Sequence, residues 1–166
     1  PGCRTRQDPR QLSRLAAADA LDEASSGLLL FSQDGRVATR ISRSPDIETE
    51  YRLIVSCLDS VSAGQLAALR AGLEACAAGR AQVVACEAEG PPRGGEGAQL
   101  RVVVRGMLPS AKIHQTCQIA GLPSAAVVRT RLGRIRLGGV QVGLWTVVPT
   151  KDVLETSDAP EEARGQ

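Results

Sequence analysis

Apolar residues recur along the chain with two periods, and the changes from one to the other mark out its elements. Gln11 to Ala20, QLSRLAAADA, is rich in Ala and Leu, which lose little freedom in a helix, and predicts a short one. Leu28 to Phe31 is an unbroken apolar run ended by Asp34-Gly35, the pattern of a buried strand entering a turn. From Arg36 to Ser42 the spacing turns helical, with Val37 and Ile41 on one face and Arg36, Arg40 and Arg43 elsewhere, until Pro45 stops it. Tyr51 to Cys57, YRLIVSC, is rich in β-branched residues and reads as a strand.

Ser62 offers a cap to a helix striped by Leu66, Leu69 and Leu73. Strands are predicted at AQVVACEAE, 81–89, and AQLRVVVRG, 98–106, joined by the Gly- and Pro-rich GPPRGGEG as an exposed hairpin loop. Residues 110–120 suit a helix that Gly121 terminates. The segments AAVVRTRLGRIRL and LWTVV are strand-like, and ETSDAPEEARGQ reads as a disordered or partner-dependent tail. Together these elements predict one α+β domain with a mixed or antiparallel sheet and short helices. The expected organisation is a basic arm or transit remnant at 1–18, a folded domain at 19–150 and a polar acidic tail at 151–166.

Composition sharpens this picture. In 166 residues there is one each of Trp, Tyr, Phe and Met, so the core must be aliphatic and stacking on several bases is not expected. A formal charge of +2, from 20 basic and 18 acidic residues, identifies no nucleic-acid binder by itself. Five widely spaced cysteines without a CxxC pair suggest neither a zinc site nor a disulfide framework and fit a reducing, intracellular compartment. Arg4, Arg6, Arg10 and Arg14 against Asp8 alone fit a transit-peptide remnant, a fragment or a basic arm, which leaves a mitochondrial or other organellar location open beside a cytoplasmic one. No run of eighteen apolar residues predicts a membrane span.

Several chemistries are disfavoured. His114 is the single histidine and no GxSxG is present, so a Ser-His-Asp hydrolase has no recognisable elbow, and His114 is assigned no catalytic role. Neither GxxxxGK[ST] nor GxGxxG follows a strand, and no metal ligands fall at useful spacing.

Three segments in a fixed order point elsewhere. "DALDEASSGLLLFSQDG" is similar to the pattern G-R-L-D-x-x-[ST]-x-G-L-L-L-x-[ST]-x-D-G at Leu21, Asp22, Ser25, Gly27, Leu28 to Leu30, Ser32, Asp34 and Gly35. "IETEYRLIV" resembles E-K-x-Y-x-V at Glu48, Tyr51 and Val55. "RTRLGRIRLGGVQVGLWTVV" resembles R-[VI]-R-[IL]-G-x-[LI]-x-L-G-x-L-x-x-G-x-W-R through Arg129, Arg131, Gly133, Gly138, Gly143 and Trp145. Over residues 19 to 150 the chain resembles the catalytic domain of RNA pseudouridine synthases of the RsuA/RluB class.

That resemblance implies an isomerase that turns a uridine out of structured RNA, ribosomal RNA above all, detaches its uracil and rejoins it through carbon. It makes Asp22 the catalytic carboxylate and Tyr51 the ring that stacks on the flipped base. No metal or organic cofactor, no membrane and no DNA are implied. Ribosomal proteins are the further partners to consider.

The departures from the pattern lie at charged positions. Ala20 replaces the arginine that pairs with the aspartate, Asp19 the preceding glycine and Thr49 the lysine of the second segment. The basic helix that contacts RNA in the family is LPSAKIHQT here, 108–116, with Lys112 and His114 as its cationic candidates. At strand spacing some of Arg129, Arg131, Arg134 and Arg136 share a face, either a solvated strand surface or an RNA-facing stripe. A catalytically degenerate homologue, serving as an RNA-binding component of an organellar ribosome, is therefore the alternative to the enzyme.

Overall fold

The strands predicted between 48 and 132 assemble into a sheet whose central member carries the charged and the apolar halves of the molecule on opposite faces. The computed structural model describes residues 13–56, 60–90, 97–106 and 108–154. In chain order the elements are β1 (Ala16–Ala17), β2 (Ser25–Gly27), β3 (Phe31–Ser32), α1 (Gly35–Arg43), β4 (Glu48–Val55), α2 (Ala63–Ala77), β5 (Ala81–Gly90), β6 (Ala98–Gly106), α3 (Ser110–Ile119), β7 (Ser124–Leu132), β8 (Ile135–Arg136) and α4 (Thr150–Leu154). The main sheet runs β2-β7-β4-β6-β5, with β8 paired to β7. All these pairings are antiparallel except β2 with β7, which is parallel, so the sheet is mixed and the domain is α+β, as expected.

Side chains alternate across a strand, and β4 shows the consequence. Tyr51, Leu53 and Val55 face α2 and α3, where Leu69, Leu73, Ile113 and Cys117 join them with Leu100, Val102 and Val104 of β6 in an aliphatic core. Glu48, Glu50 and Arg52 point the other way. α2 begins in a capping box: Ser62 accepts from the Gln65 amide, and the Gln65 side chain accepts from the Ser62 amide. A second cluster, Ala18, Leu28, Ala38, Ile41, Ile47, Leu132 and Val153, sits under α1.

Four expectations are corrected. The helix proposed for 11–20 is, over its described part, a turn followed by β1, which pairs antiparallel with β3. Arg14 adopts φ +58, a conformation no right-handed helix contains, and the pairing partner lies far along the chain where helix propensity carries no weight. Leu28 to Phe31 is not one buried strand: Leu28 is buried, Leu29 is exposed and Phe31 is 54% exposed. Gly27, at φ +108, ends the parallel pairing and turns the chain, and only at Phe31 does strand pairing resume. Asp34-Gly35 is a helix start, since Asp34 Oδ1 accepts from the Arg36 amide at 2.8 Å and caps α1. LWTVV forms no strand beyond a single bridge at Trp145; α4 follows it, with Val153 buried in the second cluster. Most of the basic arm, 1–12, the strand end at Cys57, the middle of the hairpin loop, 91–96, and the tail from 155 lie outside the described residues.

Candidate functional site

Asp22 lies in the segment between β1 and β2, and its carboxylate is held from three directions. Ser110 Oγ donates to Oδ2 at 2.6 Å, Ser25 Oγ donates to Oδ2 at 3.1 Å, and the Ala24 amide donates to Oδ1 at 2.9 Å. The Asp22 amide in turn donates to Ser110 Oγ at 3.2 Å. Burial alone would raise the carboxyl's pKa, but the two hydroxyls, the amide and the field of His114 outweigh it and bring it below the ordinary value. Asp22 is thus a carboxylate at neutral pH, anchored by Oδ2 and accepting one backbone hydrogen bond at Oδ1.

Ser110 is available for this because of how α3 begins. Pro109 occupies the cap position and makes no side-chain cap hydrogen bond, so the first helical hydroxyl turns outward across 88 residues of sequence to Asp22. One turn further, His114 Nε2 lies 3.4 Å from Ser25 Oγ. With the Ser25 proton given to Asp22, His114 meets that oxygen as a donor. No such role for Ser110 or His114 is visible in the sequence, where each is one of several polar residues on a short helix. Ser110→Ala is expected to raise the Asp22 pKa, since it removes the shortest of the hydrogen bonds to the charged form. Titrating the Asp22 carboxyl carbon by NMR checks it: an unmoved midpoint would show that Ser110 does not hold the anion.

Tyr51 forms the wall of a cleft of about 280 Å³. The cleft lies between the Asp19–Asp22 segment, Tyr51, the end of α1 at Ile41 and Ser42, and Ser110. That is near the lower end of the ligand-pocket range of roughly 300–1,000 Å³, suited to a single small unit. Tyr51 is also a core residue, and burial pushes its phenol up to about 12, with Arg129 pulling it back and Asp19 and Asp22 adding to the rise. The ring is therefore neutral at neutral pH, where Asp22 is charged. On the other side of Ala20, Leu21 and Asp22 lies a shallower hollow of about 440 Å³, bordered by Ser25, Leu29 and Phe31.

The arginines of β7 are corrected by their burial. Arg129 and Arg131 are 1% and 7% exposed and form no surface stripe. The cause is an irregularity in the β4–β7 pairing between Glu50 and Tyr51: Arg131 stands opposite Glu50, and Arg129 opposite Tyr51. Opposed residues share a face and neighbours along a strand do not, so two arginines two positions apart are sent to opposite faces. Arg129 donates from Nη1 to Asp19 Oδ2, from Nη2 to the Asp19 carbonyl at 2.8 Å and from Nε to the Leu28 carbonyl at 2.8 Å. Asp19, which the sequence presents only as an added negative charge near Asp22, is thereby neutralised by Arg129.

Arg131 donates to Glu48 at 3.1 Å and lies 3.7 Å from Glu50. Glu48 also accepts from Arg105 at 2.8 Å, and Glu50 from Arg101 at 3.1 Å and the Thr130 hydroxyl at 2.8 Å. Burial raises the Glu50 pKa, but the bonds from Thr130 and Arg101 and the two arginine charges more than offset it. Arg52 pairs with Glu89 on the same sheet face. Lys112, Arg134 and Arg136 are exposed, Lys112 donating to Gln115 at 3.2 Å and the Arg134 amide to the Asp152 carbonyl at 3.3 Å. The five proposed RNA-contacting residues therefore share no exposed stripe: Arg129 and Arg131 are inside, Arg134 and Arg136 are exposed on the β7–β8 hairpin with Arg136 opposite Arg131, and Lys112 is exposed on α3. Among the described residues no cluster of His, Cys, Asp and Glu is arranged to hold a metal ion, and no helix is long and apolar enough to cross a membrane.

No protein-family model and no curated protein sequence matches the chain. Its fold is shared with solved structures. A crystal structure of a pseudouridylate synthase superposes with a TM-score of 0.56 at 19% identity, covering 78% of this chain and 54% of that one. The crystal structure of the archaeal box H/ACA sRNP Nop10-Cbf5 complex contains a chain that superposes with a TM-score of 0.53 at 20% identity, covering 76% of this chain and 40% of that one. The domain has a pseudouridine-synthase fold. It spans about half, or less, of the length of these two neighbours.

Proposed function

We propose that this domain is the catalytic domain of an RNA pseudouridine synthase of the RsuA/RluB class, acting on a uridine of structured ribosomal RNA. The observation that supports it most directly is an anchored, ionised Asp22 at the lip of a small cleft walled by Tyr51, in a domain of this fold. Uridine enters the cleft turned out of its stack, at a cost of a few kcal/mol that contacts in the cleft must offset. Asp22 acts as nucleophile or ribose-activating base while the bond from the sugar to the base nitrogen is exchanged for one to carbon. The reaction is an isomerisation and consumes no cofactor.

A second reading, an RNA-binding component of a ribosome without activity, is favoured by one feature. Arg129 is engaged by Asp19, and among the described residues no arginine or lysine bonds to the Asp22 carboxylate. Incubating the chain with ribosomal RNA and mapping pseudouridine after chemical labelling separates the two. New pseudouridine at a defined position is the expected result; RNA that is bound and never modified would leave only the binding reading. We place the protein in a reducing compartment, the cytoplasm or an organelle.

A further inference from the structure

Five arginines of β4, β6 and β7 are neutralised in place, and the three arginines of α1 are not. Arg52, Arg101, Arg105, Arg129 and Arg131 each lie within 4 Å of a carboxylate. Arg36, Arg40 and Arg43, all on α1, are exposed and form no ion pair with a described residue. They stand at i, i+4 and i+7, so at 3.6 residues per turn they share one stripe about 10 Å long. Ala38 and Ile41 on the opposite side are buried in the second cluster, which fixes the helix's orientation and keeps the stripe toward solvent. α1 contains no acidic residue. Asp34 is occupied in capping its start, with its carboxylate on the Arg36 amide.

Position gives the stripe its meaning. Ile41 and Ser42 of α1, and Ser44 just beyond, line the cleft that holds Asp22 and Tyr51 from the side of the helix away from the stripe, so the arginines flank the cleft on its outer side. Like charges at i and i+4 repel by a few tenths of a kcal/mol per pair, a cost that the sheet avoids by pairing its cations with carboxylates. Phosphates along a nucleic-acid strand relieve that repulsion, and three guanidiniums in a row match a strand leading to the cleft. We infer that α1 is the phosphate-contacting surface that delivers RNA to the Asp22 cleft, in place of the stripe expected on β7. This rests on the reading of the cleft as a uridine site.

The test uses the full chain, its Arg36→Gln/Arg40→Gln/Arg43→Gln variant and a transcribed ribosomal RNA fragment, with affinity measured from 50 to 300 mM KCl. Gln keeps helix propensity at exposed positions, so the melting temperature should hold. The slope of log K against log salt is expected to fall by about 2 to 3, near 0.7–0.9 for each phosphate no longer neutralised. Arg70→Gln/Arg80→Gln, which removes charge from α2 and the turn after it, is expected to leave the slope within half a unit. If the triple variant unfolds, the three single variants read the slope one arginine at a time. An unchanged slope with RNA still bound overturns the assignment to α1 and leaves the reading of the cleft standing. An α1-dependent slope without pseudouridine supports the surface and sinks the synthase. A wild-type chain that ignores RNA but binds phosphatidylserine vesicles overturns both.

Discussion

Asp22→Asn is expected to lower pseudouridine formation by about 10⁴-fold, the scale seen when a reacting carboxylate or its equivalent is removed, while leaving RNA affinity within about twofold. Asn keeps the volume and an oxygen that can take the Ser110 and Ser25 hydroxyls, and gives up only the Ala24 amide, which its NH2 group would face donor to donor. It removes the charge, and the charge is what the environment of Asp22 favours: two hydroxyls, an amide and His114 together outweigh burial and depress the pKa.

The sign of the pH dependence follows. A carboxyl depressed in the folded protein contributes stability above its unfolded pKa and loses it as pH falls through the folded value; activity carried by the anion fades over the same acid window. The rate should therefore be flat from neutral pH down into the lower carboxylate range for the wild type, and Asp22→Asn should abolish that limb rather than move it. Single-turnover rates on an unmodified ribosomal RNA fragment, from pH 3 to 8, measure both. A variant that still turns over within tenfold of the wild type would remove Asp22 from the chemistry.

Asp22 is legible in the sequence because a motif places it, and so is Tyr51. Their surroundings are not. The donor of the shortest hydrogen bond to Asp22 stands 88 residues away on α3, and nothing near Ser110 in the sequence marks it except a proline that happens to take the cap position. The long elements α1, α2, α3 and β4 to β7 are readable because their patterns are local: a capping residue, a leucine stripe, a run of β-branched residues. β1, β3 and the split of the Leu28 to Phe31 run depend on partners elsewhere in the chain, which local propensity does not encode. Arg129 and Arg131 show this most sharply. Two-residue spacing argues for a shared face, yet one irregularity in the pairing of β4 with β7 separates them, and their acceptors come from three other parts of the chain. The row of exposed cations belongs instead to α1, whose stripe is fully present in the spacing of residues 36, 40 and 43. It is outshone there by the richer arginine run at 129–136.

Gly27→Ala is expected to cost about 4 kcal/mol of stability, against a gain of up to about 1 kcal/mol for Gly35→Ala only eight residues on. Gly27 sits at φ +108, which an L side chain rarely adopts, and an added Cβ would fall well inside contact distance of the Arg129 carbonyl oxygen and 2.8 Å from the Arg129 nitrogen. Both obstacles are backbone, so no rotamer change relieves them. The contact exists because β2 runs parallel to β7 with Gly27 opposite Arg129, and because the Leu28 amide must still reach the Arg129 carbonyl at 2.9 Å after the turn. Alanine forces the two strands apart, and the Arg129 guanidinium then loses the Leu28 carbonyl and its hold on Asp19. That guanidinium is 1% exposed, so its loss of acceptors adds the penalty of a buried, unpaired charge. At Gly35 nothing lies within 4 Å of the new methyl, the residue is the first of α1, and alanine lowers the entropy of the unfolded chain. Urea denaturation of the two variants checks the pair. A Gly27→Ala midpoint within experimental error of the wild type would mean that β2 and β7 do not approach as closely as the packing of the Asp19–Asp22 segment requires, and the geometry that positions Asp22 would fall with it.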